Sequence, residues 1–537
     1  MQLSKYFALA AASFSFLGPA YGAPDVSQFK VGPLPGGPPL SPSWAGRLPV
    51  PHTDPGNSLF FWLFEAEDTL YDDNLIIWFN GGPGCSSLIG LTTGNGPISF
   101  DGNTTRMVAN PYPWTKLGHV LYVDQPVGTG YATASEPYPA VDNGVVTTHF
   151  YDWLQSFFAH FPHLQSKQLH LSGESWAGVY IPYFASAIVD NQDSFPLNLQ
   201  SMTIGDGSMG YAPAISATIP RYLASHQSLL QIPDDILDVF TEASKTCGFD
   251  EVLEEAAQFP PRQALIVPGN PEGGLRNIYD QTCSPNTTTP EEVYAAIHSS
   301  CYGSCATFST ASKYLGSHVA DLDVYDITHG PSTIDHFELV TRYFGQVDVQ
   351  AALNVLPSAS NSSSSTSAGA NPPTASPFLS CSTDVLSALG SDRPKASVDS
   401  ILPNLVTSHN VSLHVYFGEY DFLLNHFSAV LTLQNMTWNG AQGFSSPITR
   451  SFYSDNAAPK IPSNPDGDNN NNQTSSQSSE SSVSTDEAGK WASERGVTYH
   501  FFRGAGHSVF LSKPREMFAY VRDVVVAKSP LPDTNTN

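Results

Sequence analysis

A serine stands in Ser172-Gly173-Glu174-Ser175-Trp176-Ala177-Gly178, just after a short apolar run and just before a helical pattern. Small neighbours let a chain turn sharply from strand into helix, and such a turn leaves a serine hydroxyl exposed as a nucleophile. The match to Gly-x-Ser-x-Gly is imperfect, because Ala177 takes the second small position and Gly178 follows it. A serine hydroxyl attacks carbonyls poorly unless a histidine removes its proton and an acid orients the histidine. Both follow, in the order Ser, Asp, His. The run 413–417 leads into Gly418-Glu419-Tyr420-Asp421-Phe422, and the run 498–502 leads into Arg503-Gly504-Ala505-Gly506-His507-Ser508. Most of the other histidines among the 16 lack such a Gly-rich setting at a strand end. Ser175, Asp421 and His507 are the candidate catalytic residues, and their chemistry is acyl transfer through a covalent intermediate. Charge developing on the attacked carbonyl oxygen needs N–H groups aimed at it. The loop 80–87 (NGGPGCSS), after the apolar run 75–79, offers them. It lacks the Gly-Lys-Ser/Thr ending of a phosphate cradle.

The elements that must carry these loops are legible from hydrophobic periodicity. Runs at 58–65 (SLFFWLFE), 75–79 (LIIWF), 119–123, 169–171, 201–204, 413–417 and 498–502 are β-branched or aromatic and bounded by turn residues, which predicts strands. Helical patterns intervene at 143–161 and 176–190. Strands alternating with helices predict an α/β fold with a central, mostly parallel sheet covered by helices on both faces. From 208 to 336 the strand rhythm is lost and four of the six cysteines collect, so this segment is expected to be an inserted cap subdomain. The core is then discontinuous, 23–207 and 337–537. The stretches 358–374 and 463–486 are of low complexity and cannot bury enough apolar surface to order themselves, so they are expected to be flexible loops.

Composition narrows the function classes. Across 537 residues, 23 Lys plus Arg face 49 Asp plus Glu, a net charge of −26. Binding to nucleic acid or to an anionic membrane surface needs a basic face, so neither partner is expected. The N-terminus has Lys5, an apolar run over 6–17 and the small-residue site Ala20-Tyr21-Gly22. That pattern is a secretory signal peptide spanning 1–22, too short in its apolar part for a bilayer span. The mature protein is expected to be secreted, with vacuolar delivery as the other destination of that route.

An oxidising route makes the cysteines disulfide candidates. Cys85 and Cys381 lie far from the group Cys247, Cys283, Cys301 and Cys305. One long Cys85–Cys381 bridge plus two local bridges is the economical arrangement, although six cysteines allow fifteen pairings. Glycosylation sequons stand at Asn103, Asn286, Asn361, Asn410, Asn435 and Asn472.

The segments Trp78-Phe79-Asn80-Gly81-Gly82-Pro83-Gly84-Cys85-Ser86-Ser87 and Gly173-Glu174-Ser175-Trp176-Ala177-Gly178 resemble the serine carboxypeptidases, peptidase family S10 of the α/β-hydrolases, and in particular their secreted fungal members. Supporting stretches run through most of the chain: 121–131 (LYVDQPVGTGY), 347–353 (VDVQAAL) and the loops of Asp421 and His507. The resemblance implies that Ser175, Asp421 and His507 form a triad and that the N–H groups of Gly82 and Trp176 make the oxyanion hole. It also implies that Asn80 and Glu174 hold a peptide's terminal carboxylate, without metal or organic cofactor.

A carboxylate can accept a hydrogen bond from Glu174 only while Glu174 is protonated, so activity is expected to favour acid pH. The family commonly has a second Glu two residues before the Gly-Pro of the next loop, to share that proton. Here Thr93-Gly94-Asn95-Gly96-Pro97 has Gly94 instead. Ser508 stands where the family usually has Met or Glu, and Phe510 where it usually has Pro. The expected activity is release of C-terminal amino acids from peptides. The alternatives are an acyltransferase or esterase on the same scaffold, and a catalytically silent secreted binding protein.

Overall fold

The computed structural model describes residues 24–209, 212–268, 285–299, 302–330, 333–356, 377–390, 397–453 and 487–527. The segment 1–22 read above as a signal peptide, both low-complexity stretches, Cys283, Cys301, Asn361 and Asn472 lie outside the described residues.

Ten strands form one sheet. In chain order they are β1 (Ser43–Pro49), β2 (Ser58–Phe64), β3 (Asn74–Phe79), β4 (His119–Asp124), β5 (Gln168–Glu174), β6 (Asn198–Gly205), β7 (Ser412–Gly418), β8 (Arg450–Tyr453), β9 (Glu487–Glu494) and β10 (Val497–Phe502). Their spatial order is β1-β2-β4-β3-β5-β6-β7-β10-β9-β8. The strands from β4 to β10 in that order pair parallel, and antiparallel pairs close both edges.

Side chains alternate across each strand, so a sheet covered on both faces needs apolar residues at every position. β2 meets that demand: all seven residues are buried. Its Phe60, Trp62 and Phe64 pack with Ile76, Trp78 and Tyr122 on one face, while Leu59, Phe61 and Leu63 pack with Ile77, Phe79 and Val123 on the other. The second face is covered by α1 (Asn143–His160), which places Val146, Phe150, Trp153 and Phe157 on one stripe and is capped by Asp142, whose carboxylate accepts the Val145 N–H at 2.8 Å. α2 (Ala177–Asp190) lies beside it. The first face is covered by α8 (His336–Phe344) and by the C-terminal turns through Met517, Tyr520 and Val521.

Between β6 and α8 the described residues form helices, α3 (Ala212–Ser225), α4 (Asp234–Thr246), α5 (Phe249–Ala256), α6 (Pro290–Ile297) and α7 (Thr307–His318), and no strand of the sheet. A disulfide joins Cys247 to Cys305 there.

A second disulfide joins Cys85 to Cys381 across 296 residues, and backbone bonds flank it: Ser86 N donates to Ser380 O and Ser382 N to Gly84 O, both at 2.8 Å. Closing so long a loop removes much freedom from the unfolded chain, typically worth about 2–5 kcal/mol. The double variant Cys85→Ser/Cys381→Ser should therefore lower the free energy of urea unfolding by that amount. An unchanged midpoint and slope would show that the two segments are held without the bond.

Of the sequons among the described residues, Asn103, Asn286 and Asn410 are exposed. Asn435 is half-buried and its Oδ1 accepts the Leu265 N–H at 2.8 Å.

Candidate active site

Every candidate residue sits at or just beyond the C-terminal end of a parallel strand, where open α/β sheets gather their ligands. β5 ends at Glu174, and Ser175 follows with φ +62°, a left-handed conformation that L-residues adopt only when the surroundings enforce it. Here the surroundings are backbone hydrogen bonds. Ser175 N donates to Gly205 O at 2.9 Å, and Ser175 O accepts from Gly178 N and Ser208 N, both at 3.0 Å. The turn then passes straight into α2, with Ala177 wholly buried at the imperfectly matched position.

Asp421 and His507 come together because their loops approach with almost no space between them. A Cβ on Gly418 would lie 2.1 Å from the Gly506 carbonyl oxygen, so only glycine permits this contact. His507 Nδ1 lies 2.6 Å from Asp421 Oδ2, and the Leu424 N–H donates to Asp421 Oδ1 at 3.0 Å. The His507 backbone N–H donates to Tyr325 O at 2.7 Å. Burial works against the imidazolium, but the charge and hydrogen bond of Asp421 outweigh it and hold the His507 pKa above its ordinary value.

Ser175 and His507 line one cavity of about 370 Å³, together with Asn80, Gly81, Gly82, Glu174 and Ser508. A larger cleft of about 880 Å³ opens at the opposite ends of the strands, around Asn74, Gln168, Ser201 and Ser412, and Ser175, Asp421 and His507 do not line it.

The loop after β3 is pinned beneath the elbow. Asp124, at the end of β4, accepts Ser86 Oγ at 2.6 Å, Ser87 N at 3.0 Å and Tyr131 N at 2.9 Å. Neither the Gly82 nor the Trp176 N–H donates to another oxygen among the described residues, so both remain available to an oxyanion.

Asn80 cannot choose its orientation. Its Oδ1 accepts Trp78 Nε1 at 2.8 Å and the Gly90 N–H at 3.0 Å, which leaves Nδ2 to donate to Glu174 Oε1 at 2.8 Å. Ser508 Oγ reaches the same carboxyl, 3.2 Å from Oε2 and 3.4 Å from Oε1. Burial of Glu174 raises its pKa to about 7, although the neighbouring His507 and the Ser508 and Asn80 donors favour the charged form.

Gly94 does not offer a way back to a second glutamate. A Cβ there would lie 2.6 Å from the Phe510 carbonyl oxygen and 3.0 Å from the Phe510 ring, which packs edge-on against Trp78 at 5.3 Å. Position 94 is thus closed to a side chain by the backbone carbonyl and the ring of Phe510. Ser508, not residue 94, touches Glu174. Sequence reasoning also assigned nothing to Asp323, Asp326 and Asp335, which line the cavity. Nor did it give a role to Asp124, although the end of the run 119–123 marks its place.

A mostly parallel sheet with helices on both faces, a strand-to-helix serine turn, and an acid and a histidine from later strand ends define an α/β-hydrolase. The profile of the serine carboxypeptidase family matches residues 35–527. The chain belongs to that family and is a hydrolase. It is 40% identical over 528 residues to a carboxypeptidase Y homolog of Arthroderma benhamiae, covering 94% of this chain and 95% of the relative. It is 27% identical to a pheromone-processing carboxypeptidase kex1 of Talaromyces stipitatus, over 94% of this chain and 69% of that protein. In fold it is similar to the crystal structure of a prohormone-processing carboxypeptidase, Kex1(delta)p, of Saccharomyces cerevisiae, with a TM-score of 0.65 and 21% identity, covering 95% of this chain and 98% of that one.

Proposed function

We propose that this serine carboxypeptidase uses Ser175 as nucleophile, His507 as general base and then general acid, and Asp421 to orient His507. The peptide's terminal carboxylate is held by Asn80 and protonated Glu174. Ser175 Oγ attacks the last peptide carbonyl as His507 takes its proton, and the oxyanion is met by the N–H groups of Gly82 and Trp176. His507 then protonates the departing amino acid, and water releases the acyl group by the same steps in reverse order. The observation that carries this reading is the Asn80–Glu174 pair beside Ser175 in one cavity: a locked amide donor and a buried acid of raised pKa suit a carboxylate partner. Residues 208–336 act as a cap over 23–207 and 337–537, supported by Tyr325 and Asp326 lining the cavity. The leader at 1–22 directs secretion, and no helix among the described residues is long and apolar enough to cross a membrane.

The pH dependence follows in sign. Glu174 must be protonated to donate to the substrate carboxylate, so kcat/KM for peptides should fall as pH rises through about 7. His507 must be neutral to act as base, which sets the acidic limb. The test compares a blocked dipeptide, its C-terminal amide and a simple ester, with the natural enzyme and Glu174→Gln. The ester lacks the carboxylate and should lose less above pH 7. Glu174→Gln donates at any pH and should carry peptide hydrolysis past that point. An amide cleaved as fast as the free acid would instead favour an esterase or acyltransferase.

A further inference from the structure

A second acid stands behind the Asp421–His507 pair. Asp206 follows β6 in Gly205-Asp206-Gly207 and, like Asp421, is wholly buried. A carboxylate oxygen of each and a ring nitrogen of His507 lie within 4.8 Å of one another. The donors reaching this cluster are unevenly shared. Asp421 receives His507 Nδ1 on one oxygen and the Leu424 N–H on the other. Asp206 Oδ1 receives the Gly418 N–H at 2.8 Å, while Asp206 Oδ2 is buried with no donor among the described residues. The backbone at Asp206 has φ +40° and its N–H is tied to Tyr416 O at 2.8 Å, while the Gly418 N–H bond to Oδ1 holds the carboxyl group itself in place.

Two carboxylates with oxygens within 4.8 Å of each other and away from water strongly disfavour both being charged. A shared metal ion does not resolve the conflict, because His507 Nδ1 and Asp421 Oδ2 spend their facing positions on each other at 2.6 Å. A proton does.

We propose that Asp206 is a positioning residue: its Oδ2 is held protonated and donates a hydrogen bond to the Asp421 carboxylate. Asp421 then remains a single anion held by three donors, and its remaining orientation is the one that faces His507. This rests on the reading of Ser175, His507 and Asp421 given above. The titratable groups facing Asp206 are Asp421, Glu174 from β5, Tyr416 from β7 and Tyr499 from β10, with His507 beyond Asp421. Burial first, and then the charge of Asp421, push the Asp206 pKa well above the carboxylate range, while the Gly418 N–H pulls the other way.

An amide reproduces the donor without a titratable proton, and a methyl group removes it. Asp206→Ala should lower kcat about 10- to 100-fold with little change in KM, the factor that follows from losing one hydrogen bond to a charged group. Asp206→Asn should restore most of that loss, and do so across the pH range in which the natural enzyme works. The low-field proton resonance of His507 Nδ1–H, which needs no turnover, should keep its position in Asp206→Asn and move in Asp206→Ala. The proposal is overturned if folded Asp206→Asn is as impaired as Asp206→Ala, since the charged form would then be required. It is also overturned if Asp206→Ala keeps kcat within twofold. Should Asp206→Ala fail to fold, the Asp206→Asn profile and resonance decide alone. Ser175→Ala separates the two readings: full activity there would remove the assumed reaction centre, whereas the resonance would still report whether Asp206 acts on Asp421.

Discussion

Ser175→Ala should lower kcat for peptide hydrolysis by about 10⁴-fold or more while leaving the unfolding midpoint unchanged. The magnitude follows from losing the covalent route, since the remaining groups of such a site give only a residual acceleration over water. The unchanged stability follows from the elbow's construction. Its left-handed turn is held by the Ser175 backbone N–H and carbonyl, through Gly205, Gly178 and Ser208, and the hydroxyl takes no part in these bonds. Alanine meets the same φ cost as serine. Timed release of the C-terminal amino acid from a blocked dipeptide measures the loss. A variant that kept a tenth of the natural rate would place the nucleophile elsewhere.

The next largest effect should come from a single methyl group at Gly81. A Cβ there would lie 2.3 Å from Trp176 N, 2.8 Å from Ser175 Cβ and 2.9 Å from Glu174 O, so alanine must push the loop 80–87 away from the elbow. The loop's far side cannot yield freely, because Asp124 and the Cys85–Cys381 bridge hold it. Displacement therefore falls on Gly82 and Trp176, whose N–H groups are the proposed oxyanion donors. Loss of one such donor costs about 10²- to 10³-fold in kcat, and Gly81→Ala should fall in or below that range with KM less affected. The measurement is steady-state kinetics beside a thermal melt. A natural kcat with a natural melt would mean that the loop does not rest on the elbow.

The Ser175 turn, the central strands and the loops of Asp421 and His507 were legible in the sequence for a local reason. Each is a buried strand followed within a few residues by glycine and a reactive side chain, and alternation, β-branching and small turn residues are all written in neighbouring positions. The strands at 75–79, 119–123, 413–417 and 498–502 accordingly lie within β3, β4, β7 and β10. The edge strands β1 and β8, and β9 beside β8, gave no such signal. SWAGRLP and EAGKWASE mix Gly, Pro, Arg, Lys and Glu into the run, and they are strands because a neighbouring strand supplies the hydrogen bonds.

The contacts that tune the site were hidden for the opposite reason. Ser508 meets Glu174 across 334 residues, and Asp206 meets Asp421 because β6 and β7, distant in sequence, are neighbours in the sheet. Gly94 faces Phe510 only once the C-terminal turns have packed on the first face. Periodicity reports which face of an element is buried but not which element covers it. Strand order settles which carboxyls share a dry pocket, and with it which one must keep its proton.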